Sequence, residues 1–335
     1  MNIVYSASDL YSSLAGISLT SVFENNKWAS EINVYIMDNG IGVENKNKLF
    51  SLAEQYGRSV SFFSLPDSLL KADINIQRWN ISTFGRLFEA SALPCSVKKV
   101  IHIDCDTVID GSLEPLWNLD MTGKAVAGVM ECLSDRYKRM IGLSPEDHYI
   151  NAGNIMLNLD FIREHGYEAK FLAYIREHAA MLTYVDQEVL NAVIPEREKL
   201  IVPLHFNSYS IIHYFTYKQL KRVRAVNSFC SPKEYKEALT NPVIVHYTTC
   251  FMEGTRPWIE GDSHPLKARF EYYKSLSPWR DMRPWEDNRS PNKKMVTSIL
   301  NCTPKAVICV IVGFIHGTLV PWNNQRILKK KMRVQ

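Results

Sequence analysis

The chain has 335 residues, 46% of them hydrophobic and 22% charged, an ordinary globular composition that can bury a full core and still carry an appendage. Its net charge of +4 is slight for that length and implies no nucleic-acid partner, although basic residues crowd into RILKKKMR at 326–333. Seven scattered cysteines without a CxxC pair, and an N-terminus that enters a strand with no signal peptide, are expected of reduced thiols in a cytoplasmic protein.

In chain order, NIVYSAS reads as a first strand, and LYSSLAGISLTSVFE carries apolar residues at helical spacing. INVYIMD is a second strand, ended by the turn signal Asp38-Asn39-Gly40. A helix near 44–56 and a strand at VSFFSL follow, then strands at AVAGVM (125–130) and NIMLNL (154–159), with a later helix opening near Asp186. This alternation predicts an α/β fold with a doubly wound, Rossmann-like, mostly parallel sheet, in which ligands bind outside the carboxyl ends of the strands.

The run VIHIDCDTVI (100–109) has the character of a buried strand that ends in Asp104 and Asp106. One buried carboxylate is costly and two repel, so a cation or a shared proton is expected to meet them: a divalent metal, a Lys or an Arg. Three readings compete for the pair. D-x-D-x-T/V is the nucleophile motif of haloacid-dehalogenase-type phosphatases, but that family needs it on its first strand and a later acidic pair for Mg²⁺. The GDSHP stretch at Gly261 lacks the second acid. D-x-D is also the metal clamp of nucleotide-sugar glycosyltransferases, which can lie mid-domain. A plain turn at a strand end is the third.

Six blocks in order separate these readings: RWNISTFGRLF (78–88), HIDCDTVIDGSLEPLW (102–117), YINAGNIMLNLDFIR (149–163), DQEVLN (186–191), HFN (205–207) and HYTTCFMEGTRPW (246–258). Together they resemble family 8 glycosyltransferases, with most similarity to bacterial α-galactosyl- and α-glucosyltransferases of lipopolysaccharide and lipooligosaccharide synthesis. The resemblance implies a GT-A fold, a UDP-hexose donor, Mn²⁺ (or Mg²⁺) and transfer with retention. It implies metal ligation by Asp104, Asp106 and His246, and donor contacts from Ala7, Asp9, Arg86, Cys105, Asn151, Ala152, Gly254 and Arg256. Asp186 and Gln187 would be catalytic, with Gln187 facing the anomeric carbon, and Glu131 would meet a glycan or glycolipid acceptor. The chain departs from the pattern at Ser8, where the family usually has an acid, and at apolar Leu10. A nucleotide-sugar or glycan binder without turnover is the reading from another class, and the intact metal ligands argue against it.

The texture changes at SPWRDMRPWEDNRSPNKK, which predicts a boundary between a catalytic domain at 1–263 and a connector with an apolar, basic segment at 264–335. The run 306–320, about 15 residues or 22 Å of helix, falls short of a bilayer core of about 30 Å. With Trp322 and the cluster Arg326, Lys329, Lys330, Lys331 and Arg333 at one end, it is expected to lie on the anionic inner face of the cytoplasmic membrane, making the protein peripheral.

Overall fold

Strand β1 (Asn2–Ala7) buries Ile3, Val4 and Tyr5 completely, as a parallel strand covered on both faces must. The computed structural model describes residues 1–72, 74, 80–179, 181–227, 229–252, 256–323 and 326. The other strands are β2 (Asn33–Asp38), β3 (Ser59–Phe63), β4 (Lys99–Ile103), β5 (Thr107–Ile109), β6 (Val126–Met130), β7 (Ile150–Asn158), β8 (Lys199–Val202), β9 (Ser208–Tyr209) and β10 (Ile244–His246). The helices that matter to the site are α1 (Asp9–Asn25), α2 (Val43–Gln55), α3 (Val185–Val193), α4 (Tyr217–Arg224), α5 (Lys267–Leu276), α6 (Pro291–Cys302) and α7 (Lys305–Phe314).

Seven strands form one sheet in the order β3-β2-β1-β4-β7-β6-β8, parallel except for β7, which runs antiparallel to both neighbours. The chain moves outward from β1 to β3 and then returns to the other side of β1 as β4. The switch point therefore lies between β1 and β4, and a crevice opens beyond their carboxyl ends. All seven cysteines are free thiols.

The run 100–109 is divided where one strand was expected. β4 ends at Ile103, Asp104 N–H donates to Gly153 C=O (2.8 Å), and Thr107 Oγ1 donates to Asp104 C=O (2.8 Å). This turn sends the next residues into a second sheet, β5-β10-β9, in which Thr107 faces His246 across an antiparallel pair.

Residues beyond 263 pack with the body rather than apart from it. α5 lies on α1, and Phe270, Tyr273 and Trp279 enter the same hydrophobic cluster as Ile3, Ile17 and Ile103. Leu266 N–H donates to His264 Nδ1, so His264 presents Nε2–H to Ser210 Oγ (3.0 Å), and Ser210 O–H reaches the His246 carbonyl (3.4 Å). Residues on both sides of position 263 thus share one hydrophobic cluster. The texture of Pro, Trp and charge beyond it reflects large rings that fill gaps in a helix-poor segment.

The C-terminal helix is longer than the apolar run suggested. It extends for 19 residues over Lys305–Asn323, with a π-type turn at Ile315–Leu319, about 28 Å at 1.5 Å per residue. By length and composition it could cross a membrane, yet one side is seated on α4, where Ile308, Cys309 and Val312 are buried. Gly313 and Gly317 allow this approach: a Cβ at either would lie 2.3 Å from Arg222 O or 2.5 Å from Ala225 Cβ. The opposite side exposes Val310, Ile311, Phe314 and Trp322.

Gly16 of α1 sets the contact with the former connector, since a Cβ there would lie 1.9 Å from Trp279 Cζ3. Gly16→Ala should therefore destabilise the fold by about 1–3 kcal/mol, the usual cost of overpacking. Urea unfolding of the variant measures this, and a neutral result would mean that Trp279 can leave its seat freely.

Candidate active site

β4 and β10 bring Asp104, Asp106 and His246 together across more than a hundred residues of sequence. His246 Nε2 lies 3.1 Å from Asp106 Oδ1 and 3.7 Å from Asp104 Oδ2, and one donor atom from each of the three falls within 4.8 Å of the others. Gly153 of β7 leaves the space beside them open, because a Cβ would sit 2.2 Å from His246 Cε1 and 2.9 Å from Asp104 Oδ2. Two carboxylates, one imidazole and an open flank fit a hard divalent cation that keeps positions for other oxygens.

The tautomer of His246 follows from its neighbours. Asn207 Nδ2 donates to Asn151 Oδ1 (2.8 Å), which leaves Asn207 Oδ1 as the acceptor for His246 Nδ1–H (3.0 Å) and for Asn154 Nδ2 (3.1 Å). Nε2 is then the ring nitrogen turned to the carboxylates, 3.1 Å from Asp106 Oδ1, where loss of its proton would free a lone pair for a metal. Asn151 in turn donates to Glu131 Oε2 (2.5 Å). The amide chain Glu131–Asn151–Asn207–His246 joins the expected acceptor residue to the metal ligand. Asn207 lies in the HFN block, but no role for it was legible without this geometry.

Arg86 is the second centre. Its Nη2 donates to Asp104 Oδ1 (2.7 Å), its Nε meets Asp186 Oδ2 (2.6 Å), and Nη1 donates to the Ala152 carbonyl. Burial opposes the charge on Asp104, but Arg86 and the neighbouring imidazoles hold its pKa well below the usual carboxylate range. Burial wins at Asp186, whose pKa is raised although Arg86 pulls it down. Behind Asp104 the buried His102 pairs through Nδ1 with Glu89 and turns Nε2 toward Asp104 Oδ1 at 3.8 Å. Glu89 was not among the residues read from sequence.

α3 opens on Val185, a β-branched residue at φ 44°, and strain of this kind persists where the surroundings over-determine it. The turn aims Asp186 at Arg86 and sets Gln187 Oε1 to accept from Ala152 N–H (3.0 Å). Glu188 is held away from the site by Tyr137 O–H and Thr183 N–H.

Three cavities adjoin here. One of about 280 Å³ lies among Ser6, Ser8, Asn39, Ser82, Arg86 and Asp104; one of about 270 Å³ lies among Arg86, Asp104, Gly153, Tyr184, Asp186 and Gln187. The third, of about 780 Å³, runs from Tyr11 past Arg256 to Trp285 and shares Tyr11 with the first. Arg256 Nη1 stands 3.5 Å from Asp106 Oδ2, and Cys105 is buried with its thiol on the Ser6 carbonyl (3.2 Å). Two residues of the first loop have partners within the protein. The Ala7 side chain is buried in the core, and the Asp9 carboxylate accepts from Gly42 N–H and Asn45 Nδ2, so it fastens α1 to α2 instead of facing a cavity. Ser6, Ser8, Asn39 and Tyr11 line the cavity in their place. Gly254 lies outside the described residues. Asp262, the acid of GDSHP, faces Lys267 at 4.0 Å and is not part of the Asp104 cluster, so the phosphatase reading gains no second acid.

A Rossmann-like sheet with a carboxylate pair and an imidazole at its switch point defines a group-transfer enzyme of the GT-A type. Residues 2–261 match the sequence profile of Glycosyl transferase family 8, and the chain belongs to that family; it is a glycosyltransferase. General stress protein A of Bacillus subtilis is 25% identical over 282 residues, covering 83% of this chain and 94% of that protein. The lipopolysaccharide 1,3-galactosyltransferase of Salmonella typhimurium is 23% identical over 290 residues, covering 83% and 79%. The crystal structure of galactosyltransferase LgtC with donor and acceptor sugar analogues superposes with a TM-score of 0.69 at 20% identity, over 88% of this chain and all of that one, which shows the same fold.

Asn207→Ala removes the acceptor that fixes the His246 tautomer. Divalent-metal affinity should fall about 10–100-fold, as for other outer-shell partners of metal ligands. Titration of the protein with Mn²⁺ by electron paramagnetic resonance measures it, and unchanged affinity would show that β10 alone orients the ring.

Proposed function

We propose that the protein is a retaining hexosyltransferase that takes galactose or glucose from a UDP-sugar and passes it to a cell-envelope glycan of the lipopolysaccharide or lipooligosaccharide core type. The observation that carries this reading is the convergence of Asp104, Asp106 and His246 Nε2 on the gap left by Gly153, beside Arg86, Asp186 and Gln187. The similar lipopolysaccharide 1,3-galactosyltransferase and the 1,2-glucosyltransferase of Escherichia coli supply the substrate class.

Asp104, Asp106 and His246 would hold Mn²⁺ or Mg²⁺, which when bound neutralises the charge that develops on a departing diphosphate. Arg256, beside Asp106, adds a fixed cation on the diphosphate side, and Ser6, Ser8, Asn39 and Tyr11 wall the nucleoside end. Arg86, Asp186 and Asn151 grip the hexose hydroxyls. Gln187, its oxygen oriented by Ala152 N–H, faces the anomeric carbon.

Among the described residues, no carboxylate is placed to attack that carbon. Asp186 is paired with Arg86, and Glu188 is tied to Tyr137 and Thr183. A double displacement needs a free carboxylate under the ring. The reading is therefore a front-face displacement: the bond from C1 to the phosphate oxygen breaks, the acceptor oxygen bonds C1 on the same face, and its proton goes to the departing phosphate oxygen. The Gln187 carbonyl stabilises positive charge at C1 in the transition state.

Proton NMR of the new linkage should show the α configuration of the donor kept, and Asp106→Ala or excess EDTA should abolish transfer. A β product, or full activity in EDTA, would overturn the reading.

The reading also places the enzyme on the inner face of the cytoplasmic membrane, where a glycolipid acceptor would be met in two dimensions. From Asn288 to Gln335 the chain has no Asp or Glu, and the exposed side of α7 continues onto Met295, Val296 and Ile299 of α6. Replacing Lys329, Lys330 and Lys331 with Gln should weaken binding to vesicles containing anionic lipid and flatten its salt dependence. Sedimentation with such vesicles tests it, and an intact protein that stays in solution at low salt would remove the membrane from the account.

A further inference from the structure

Tyr184 and Thr183 wall the cavity that holds Asp186 and Gln187, and their far side walls a second, narrower crevice of about 30 Å³. Cys132 and Leu133 close one side of this crevice, Arg224 the floor, and His316 with Val320 the side formed by the C-terminal helix. It has room for about one water-sized group, not a sugar ring.

Arg224 is the feature that needs explaining. Its side chain makes no hydrogen bond and no ion pair among the described residues, and its Nε is sealed from solvent without a partner. Burial works against its charge, yet Glu131, Tyr184 and other neighbours hold the guanidinium protonated. A half-buried arginine whose Nε is sealed away without a partner is expensive unless something supplies an acceptor. Tyr209, fully within the core, also has a hydroxyl without a partner, and its ring stands in the field of the same Glu131 and Arg224.

The balance of charge around the crevice decides what that something is. α4 carries Lys218, Lys221, Arg222 and Arg224 and no acid, and Arg136 donates to the Gly317 carbonyl (3.2 Å). Asp135 is held by Asn227 Nδ2 (2.9 Å), and Glu131 accepts from Asn151 on the side of the metal cluster. Burial and Arg224 push the His316 pKa down to about 4, so the imidazole is neutral and can accept or donate without adding charge. A neutral hydroxyl in the crevice would leave the guanidinium in the field of Glu131 but without a bonded anion; an anionic oxygen would supply one by a charge-assisted bond.

We propose that Arg224 and His316 form an anion-reading subsite for the acceptor, which takes a phosphate or carboxylate oxygen carried by the sugar next to the reacting hydroxyl. The acceptor ring rests on Tyr184, between this subsite and Gln187. The C-terminal helix is then a wall of the acceptor site as well as an apolar surface, because His316 and Val320 come from its docked side. The proposal rests on the glycosyl-transfer reading, but it concerns only the choice among acceptors.

The test uses the full chain with Mn²⁺, a UDP-hexose, and three acceptors on one hexoside scaffold: neutral, 6-phosphorylated and 6-carboxylated. The wild type should favour the better of the two anionic acceptors over the neutral one by roughly tenfold or more in kcat/KM, as expected for a site built around a hydrogen-bonding group. Which anion is better distinguishes a phosphorylated acceptor from a uronic acid. In Arg224→Met the ratio should collapse to about one, through KM, and Arg224→Lys should restore part of it for phosphate, where a point charge suffices. His316→Phe, which fills the crevice without touching the charge, should also lower the ratio and guards against a misfolded Arg224→Met. A wild-type ratio near one, or a ratio that survives both variants, would overturn the subsite while leaving glycosyl transfer intact. Transfer to no acceptor, with UDP still bound, would count against the glycosyl-transfer reading instead.

Discussion

The site depends on one guanidinium. Asp104, Asp106 and Asp186 gather at the carboxyl end of a sheet whose interior is apolar and buried, and without a permanent cation their mutual repulsion would open the crevice. Arg86 prevents this by dividing its planar fork between Asp104 and Asp186 while bonding the Ala152 carbonyl. The division matters at the level of single atoms. Asp104 gives Oδ1 to Arg86 and keeps Oδ2 toward His246, so one carboxylate serves a fixed cation and a candidate metal position at once. An ammonium could not do so, since a point charge has no two-edged geometry.

From that bond the rest of the site can be traced outward. Ala152 is fixed by Arg86 through its carbonyl and fixes Gln187 through its N–H; the next residue, Gly153, holds Asp104 N–H and clears space for His246. Two successive residues of β7 therefore set the Gln187 amide, the strand-end turn and the cradle of the candidate metal position. β7 can do this because it runs antiparallel between β4 and β6, so that its beginning, not its end, meets the carboxyl end of β4. A parallel strand at the same place would deliver its residues from the wrong direction.

Much of this was legible in the sequence where chemistry and local pattern coincide. The βα alternation is carried by β-branched runs and helical spacing, and the carboxylate pair announces itself at the end of such a run. The structure brings Asp104, Asp106, His246, Arg86, Asn151, Ala152, Asp186 and Gln187 to one place. What was not legible depends on pairing across distance. β9 and β10 are two and three residues long, too short for any periodicity, yet they carry His246 to Asp106. Asn207 is an unremarkable polar residue until its two ends are seen to face Asn151 and His246. The bonds of Asp9 to Gly42 and Asn45 were not legible for a related reason, because a carboxylate that follows a strand can cap a neighbouring helix as readily as it can face a ligand.

The C-terminal helix shows why its apolar run admitted two readings that the fold makes compatible. A helix buried all round would have no surface left for a bilayer, and one free all round would have no seat. Gly313 and Gly317, four apart, lie against Arg222 and Ala225 and bring the backbone of one side close to α4, while bulky Val310, Ile311 and Phe314 occupy the other. Small residues permit backbone approach, and large ones on the opposite face keep apolar area outward. The π-type turn at Ile315–Leu319 falls where the helix passes the Arg224 crevice, and turns of this kind recur at functional positions because they re-aim side chains without ending the helix. Here the residue re-aimed is His316, and the carbonyl of Gly317 in the same turn is taken up by Arg136. A helix held this way fixes the angle between its exposed apolar side and the cavity of Gln187, so any surface that takes up the apolar side also sets how that cavity is presented.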